Sequence, residues 1–353
     1  MHKISPLCFK RHSFYINMGK TVLLGFSGGI DSTMSARILS EEGYRVVALT
    51  IDTTGDSAML AKAERVAREL GIEWHCYDAK AMFEHDIIDY FCSEYASGRT
   101  PAPCTRCNTH IKWKILLSEA NRLGINHIAT GHYFRIERHK GHYYVAKGAD
   151  SAKDQSYYLW GLSQEVLSRA ITPMGSIIKS EIKEGFKDKS ESMGICFLEQ
   201  KPYAEFLKSR GINATEGDIL TTENTLCGHH NGIIHYTIGQ RRGEGIPESM
   251  RVVDIKANNN TIIVGNKQDL YKSKLHITTC NIVDESELLS ATDITIKIRG
   301  IGINPELPVT IERCGEDYLI TTPDKAFAPA KGQPLVLYRN NLVIGGGIVE
   351  SFE

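Results

Sequence analysis

No stretch of this 353-residue chain runs to 18 apolar residues, so it offers no candidate for a membrane-spanning helix. A large net charge is also missing. The formal sum is −1, so no global field advertises nucleic acid, and any basic footprint must be local. No secretory signal with an apolar core precedes the nine cysteines, an odd number at irregular spacings. That combination argues against a disulfide scaffold and for thiols in a reducing, cytoplasmic compartment. Internal repeats and low-complexity tracts are absent too. What remains, 42% apolar and 24% charged, is the composition of an ordinary soluble globular protein long enough for two or three domains.

The first 18 residues hold no acid, and their bases are Lys3, Lys10, Arg11 and histidines. They read as an extension before a second start at Met18, although an acid-poor transit peptide has a similar composition. Beyond them the first half alternates. "TVLLGF", "RVVALTI", "IEWHCYD" and "INHIATGHY" read as strands. "STMSARILSEEG", "SAMLAKAERVARELG" and "KWKILLSEANRLG" read as the helices between them. Strand–helix alternation predicts a doubly wound parallel α/β sheet. From about Gly217 the helical patterns stop and short β-branched runs take over. "RVVDIKANNNTIIVG" carries a hairpin signal with Asn258, Asn259 and Asn260 at the turn. The expected organisation is an extension over 1–19, a nucleotide-binding domain over 20–210, a small β-rich module over 211–272 and a β-barrel over 273–353.

The first strand runs into "GFSGGIDS". Gly28 and Gly29 permit positive φ and close backbone approach, so successive N–H groups can face an anion. Asp31 or Ser32 is expected to cap the helix that follows. The loop lacks the Lys-Ser/Thr of a Walker A motif and the spacing of a dinucleotide fingerprint. It resembles the SGGxDS loop of the PP-loop ATP pyrophosphatases, which cleave ATP between its α and β phosphates and activate an oxygen as an adenylate. An acid inside such a site, Asp31, suits a role in holding Mg²⁺ against pyrophosphate.

Three further stretches bear on the chemistry. "RTPAPCTRCNTHIKW" sets Cys104 and Cys107 ahead of a helix. This reads as half a zinc site, a redox pair, or a nucleophilic thiolate at a helix N-terminus, and no second C-x-x-C follows to complete a metal site. Cys196, in "SMGICFLEQ", sits in a short apolar segment and by itself reads as a buried structural cysteine. Cys8, Cys76, Cys92, Cys280 and Cys314 read as structural or incidental. In "KDQSYYLWGL", Lys153 is placed to meet a phosphate and Gln155 to read a base edge, and a solvated helix N-terminus has the same pattern.

Taken together, the loop, "TPAPCTRCN", "ATGHYFR", "KDQSYYL", "SMGICF" and "YTIGQRRG" occur in the order and rough spacing of the tRNA-specific 2-thiouridylases, the MnmA family. The chain resembles that family from about Lys20 to its end, including "AFAPAKGQPLVLY". The resemblance implies an ATP pocket of Gly25, Phe26, Ser27, Gly28, Gly29, Ile30, Asp31 and Ser32, with Ile51 near the adenine and Gly131 of "ATGHY". It implies that the 2-oxygen of a wobble uridine attacks the α-phosphate and releases pyrophosphate. Cys196 would carry sulfur as a persulfide received from a relay protein. Cys107 would be the partner nucleophile, and Cys104 would stand at a position where an acid–base role is proposed. The flipped base would meet Ala102, Pro103 and Cys104, and the tRNA would meet His132, Lys153, Asp154, Gln155, Arg299 and Gln333.

Three departures from the family pattern stand out: Ala102 in place of the usual Asn, Arg299-Gly300 in place of Arg-Tyr, and a short segment between Gly175 and Ser190. Two rival readings have less support. Another PP-loop synthetase would need a glutaminase nucleophile or a second catalytic domain. A tRNA-binding or sulfur-carrying adaptor would have no use for intact Asp31, Cys107 and Cys196.

Overall fold

The computed structural model describes residues 20–182, 194–198, 201–299 and 303–353. The N-terminal extension, Gly300 and the second half of the short segment after Gly175 lie outside the described residues.

Strands β1 (Thr21–Gly25), β2 (Arg45–Asp52), β3 (Glu73–Asp78) and β4 (His127–Ala129) pair in parallel, joined at the far edge by β7 (Ala170–Ile171), in the order β3-β2-β1-β4-β7. Side chains alternate across β1. Val22 and Leu24 pack with Ala36, Leu39, Ala63 and Val66 of helices α1 (Ile30–Glu41) and α2 (Ser57–Glu69). Leu23 packs on the opposite face with Phe83, Phe91, Ile111 and Leu116. Those side chains belong to α3 (residues 80–96) and α4 (residues 103–123). Both faces are therefore covered, as doubly wound winding requires, and each fully buried aliphatic or aromatic side chain contributes about 1.5–3 kcal/mol. The strand order reverses between β1 and β4, and ligands of open α/β sheets settle in the crevice at such a point.

Helices α3 and α4 each contain a π turn, at Glu84–Asp89 and Asn108–Lys112. Such turns insert one residue and rotate everything after it, frequently at functional sites.

The hairpin β5 (Phe134–His139) and β6 (His142–Lys147), unforeseen in the sequence, leaves this domain and joins a distant sheet. Helices α5 (Gln164–Arg169), α6 (Lys179–Ile182) and α7 (Tyr203–Ser209) complete the region. A four-stranded sheet follows, ordered β10-β11-β8-β9 from β8 (Gly217–Thr221), β9 (Leu226–His230), β10 (Arg251–Lys256) and β11 (Thr261–Gly265). Strands β10 and β11 form the expected hairpin, and Asn260 takes the left-handed conformation at its turn.

The last sheet runs β13-β16-β17-β12-β15-β14. Its strands are β12 (Tyr271–Ile282), β13 (Ile294–Ile298), β14 (Thr310–Cys314), β15 (Asp317–Phe327), β16 (Pro334–Arg339) and β17 (Leu342–Phe352). The amide of Val309, just before β14, donates to Ile294 O of β13 at 2.8 Å and brings the sheet's two edges together as a barrel. One helix interrupts the expected all-β pattern here. Asp284 accepts from the amides of Ser286 and Glu287 at 2.9 and 3.2 Å, which caps α8 (Glu285–Ser290).

The first and last regions are locked together. Strand β6 pairs with β17, and Tyr144 enters the barrel core and donates to Glu287 at 2.7 Å. "KDQSYYLWGL" supplies much of the joint. Ser156 bonds Tyr338 at 3.0 Å and Tyr157 donates to Pro334 O at 2.9 Å. Trp160 presses against Gly346, where a Cβ would meet its ring at 3.0 Å. Among the described residues no helix is long and apolar enough to cross a membrane.

Candidate active site

Loop 25–32 leaves the carboxyl end of β1 at the reversal point. Gly28 has φ +65°, and a Cβ there would lie 2.9 Å from the Ala63 backbone, so only glycine fits without displacement. Helix α1 starts earlier than expected, with Gly29 as its cap, so neither Asp31 nor Ser32 caps it. The Ser32 hydroxyl instead donates to Gly29 O at 3.2 Å and accepts from the Ser27 amide at 3.3 Å. The Gly29 amide reaches Ser27 Oγ at 3.4 Å. These contacts are long, and an anion can displace them. Asp31 is drawn away from the cap by two partners, the Tyr133 hydroxyl at 2.8 Å and the buried Lys179 ammonium at 3.1 Å.

The loop opens on a cavity of about 550 Å³. Gly25, Phe26, Ser27, Asp31, Ser32, Ile51 and Gly131 all line it, and Gly28, Gly29 and Ile30 complete the loop behind them. Gly131 packs so closely that a Cβ would stand 3.1 Å from the Ser32 amide nitrogen. The opposite wall holds Pro103, Cys104 and Cys107 from the first turns of α4, and Cys196 from the short turn Cys196–Leu198. Cysteines 89 positions apart (196 − 107) thus face one space, all as free thiols.

Cys196, which its local sequence suggested was buried, is exposed. Its neighbour Phe197 takes the apolar role instead, with ring centroids 5.1, 5.2 and 5.9 Å from Phe91, Phe206 and Phe83.

Electrostatics move the Cys104 and Cys107 thiols away from the ordinary thiol range. Burial pushes the Cys107 thiol up to about 11, the Lys112 ammonium works against it, and the nearby Cys196 and Cys104 sulfurs add to the rise. Cys104 is raised for the same leading reason, again opposed by Lys112. His132 also lines the cavity. Burial, and then Lys112, pull its pKa down to about 3, so it is neutral. Its Nδ1 bonds Thr130 Oγ at 2.8 Å, and its ring stacks on Trp113 with centroids 6.3 Å apart.

The other predicted contacts divide. Gln155 lines the cavity and accepts from the Tyr133 amide at 2.9 Å. Asp154 accepts from the amides of Gly148 and Ser156 at 3.0 and 3.2 Å and from the Ser156 hydroxyl at 2.8 Å. Ala102 caps α4, and Lys153 lies beside Asp154 in the loop before Gln155, outside the cavity lining. Gln333 reaches from the barrel to Thr100 O and Pro101 O at 2.9 and 3.1 Å, and so props the loop that leads into α4 and Cys104. Arg299 is not brought to this cavity. It lines a second one of about 420 Å³ beside Gly239 and Gln240 of "YTIGQRRG", and donates to Ile238 O and Ala328 O.

Sequence reasoning missed Thr130 and Lys112. Lys112 stands in the quoted "CNTHIKW", but a regular helix would turn it away from Cys107. Among the described residues, no group of His, Cys, Asp or Glu is arranged to hold a metal by itself.

Three family profiles tile the chain. They are described as a tRNA methyl transferase HUP domain over residues 20–200, a tRNA methyl transferase PRC-barrel domain over 204–266, and an aminomethyltransferase beta-barrel domain over 272–349. A tRNA-specific 2-thiouridylase MnmA of Clostridioides difficile is 36% identical over 94% of this chain and 99% of its own length. A second, MnmA 1 of Bacteroides fragilis, is 39% identical over 94% of this chain and 97% of its own. Among solved structures, a predicted subunit of tRNA methyltransferase from Methanocaldococcus jannaschii matches 54% of this chain and 88% of its own at 20% identity and TM-score 0.36, too loose a likeness to build on.

Proposed function

We propose a reaction from one premise: this chain belongs to the tRNA-specific 2-thiouridylase family, MnmA. It is a tRNA sulfurtransferase that uses ATP to thiolate tRNA. Its site suggests how.

The observation that carries the mechanism is that the Gly25–Ser32 loop and the three thiols share one cavity. ATP fits with its phosphates on the loop amides and the α1 N-terminus, and with its adenine toward Ile51. Mg²⁺ would have a single protein carboxylate, Asp31, and would rely on phosphate oxygens for the rest, a common arrangement for this ion. Its chemistry there would be to neutralise charge on the departing pyrophosphate.

A wobble uridine flipped out of the anticodon loop would enter between Pro103, Cys104 and His132. Its 2-oxygen displaces pyrophosphate and becomes an adenylate. A persulfide on Cys196, loaded by a sulfur-relay protein, attacks the activated C2 through its outer sulfur. The Cys107 thiolate then attacks Cys196 Sγ and breaks the persulfide S–S bond. The electron pair goes to the sulfur on C2, AMP leaves, and Cys107 and Cys196 end as a disulfide that an external thiol reduces. Neutral His132 has an acceptor or donor for a base edge but no charge. Lys153, Asp154, Arg299 and Gln333 would bear on the tRNA outside the cavity or hold the surfaces that meet it. The words methyl transferase in the profile descriptions would call for a methyl donor, whereas a phosphate cradle facing three free thiols suits sulfur transfer.

A single-turnover assay in a buffer free of added thiol tests this reading. Protein with persulfide-loaded Cys196, ATP and Mg²⁺ should give one thiouridine and one pyrophosphate per active site on a wobble-uridine tRNA. Pyrophosphate without thiouridine would point to another PP-loop adenylating enzyme. Absence of both would point to an adaptor.

A further inference from the structure

Lys112 is the one lysine or arginine lining the cavity among the described residues. None of the described carboxylates pairs with it. It faces Cys104 and Cys107 from the same helix, His132 from the loop after β4, and the same space as Cys196 and Asp31. His132 is neutral and Asp31 is held by Lys179 and Tyr133, so the charge of Lys112 bears on the Cys104 and Cys107 thiols.

The path by which it reaches them is local and geometric. At ~100° per residue, a regular helix would place Lys112 about 140° around the axis from Cys107. The π turn Asn108–Lys112 inserts one residue, which brings that angle to about 40° and sets Lys112 about 20° from Cys104. Leu116, one turn on, shares the corrected face and also lines the cavity. In and beside this turn Thr105 Oγ, Asn108 Oδ1 and Trp113 Nε1 are buried without hydrogen-bond partners among the described residues. Unpartnered groups of this kind are costly, and helices keep them where another gain offsets them.

We propose that Lys112 is the counter-charge for anionic sulfur at Cys107, and that the π turn serves to swing it there. The inference rests on the sulfur-transfer reading above. Its step is simple: the Cys107 thiol proton leaves to solvent, and the thiolate that remains is stabilised by the ammonium until it attacks Cys196 Sγ. Lys112 acts through Cys107 as a positioning residue. A neighbouring cation favours the thiolate and offsets part of the rise that burial imposes.

The test follows alkylation of Cys107 by iodoacetamide from pH 6 to 10, resolved from Cys104 and Cys196 by peptide mass mapping, in the parent, Lys112→Gln and Lys112→Arg proteins. In Lys112→Gln the whole rate–pH curve should move about one pH unit alkaline, so the rate at pH 8 should fall about tenfold. Lys112→Arg should restore both, and the pH profile of single-turnover thiolation should move with them. Superimposable Cys107 profiles, or an Arg variant no better than Gln, would overturn the assignment. So would loss of pyrophosphate release with an unchanged Cys107 profile, which would place Lys112 on the phosphates. Should the parent fail to thiolate tRNA while its Cys107 profile still depends on Lys112, the reaction is wrong and the electrostatic assignment stands.

Discussion

At the loop end of the cavity the backbone does the work: Gly28 with φ +65°, amides loosely held by the Ser27 and Ser32 hydroxyls, and a helix N-terminus behind them. At the other end side chains do it. Cys104 and Cys107 come from one helix, Cys196 from a turn anchored by Phe197, and Lys112 arrives through a π turn. A cradle for phosphate needs only consecutive residues in the right conformations. A relay of sulfur needs groups that can move and change charge, and these have to be gathered from separate segments. The two ends should therefore fail independently.

The largest effect should come from breaking the sulfur end. Cys196→Ser is expected to lower thiolation by roughly 10³-fold or more while tRNA-dependent pyrophosphate release persists. If pyrophosphate release collapses as well, the two ends are not separable. Gly28→Ala is the converse. It places a side chain in a left-handed conformation at a cost of roughly 1–2 kcal/mol and against the Ala63 backbone. Pyrophosphate release should fall ~10–100-fold, with persulfide loading of Cys196 unaffected in a gel-shift assay.

Phe197→Ala sharpens the contrast. It should destabilise the protein by roughly 1–3 kcal/mol in denaturant titration, less than a fully buried Phe would, because Phe197 is only partly buried. Thiolation should fall with it, since the ring anchors Cys196, and preserved thiolation would separate anchoring from chemistry.

The smallest effect is on pH dependence. His132 is held near pKa 3 when folded, whereas the unfolded chain titrates near 6.5. Below pH ~6.5 the unfolded state binds a proton that the folded state refuses, so this contribution to stability is present above that pH and fades as pH falls toward 3. His132→Asn should lose less stability than the parent between pH 7 and pH 5. Parallel curves would mean that the imidazole ionises in the folded protein.

Much of this was legible before folding. The parallel sheet, the hairpin at Asn258–Asn260 and the barrel strands follow from periodicity and turn chemistry, which are local properties. The hairpin of β5 and β6 was not legible, because its partner is β17, nearly two hundred residues away. Neither was α8, whose single signal is the cap at Asp284. Cys196 misled because its apolar neighbours are there to anchor the turn and leave the thiol outside. Nor was it legible that Gln333, expected at the tRNA, donates from the barrel to Thr100 O and Pro101 O in the first region.

By itself the sequence determined the nucleotide loop, since "SGGIDS" specifies its own backbone and needs little from the rest of the chain. It also determined which cysteines were worth watching, through motifs in register. Only the tertiary structure decided that Cys107 and Cys196 face one cavity, that Asp31 is claimed by Lys179 and Tyr133, and that Lys112 lines the same cavity as the thiols. Those are relations between segments far apart along the chain, or between residues separated by one inserted helical position. A periodic pattern carries no information about either until packing sets the distances.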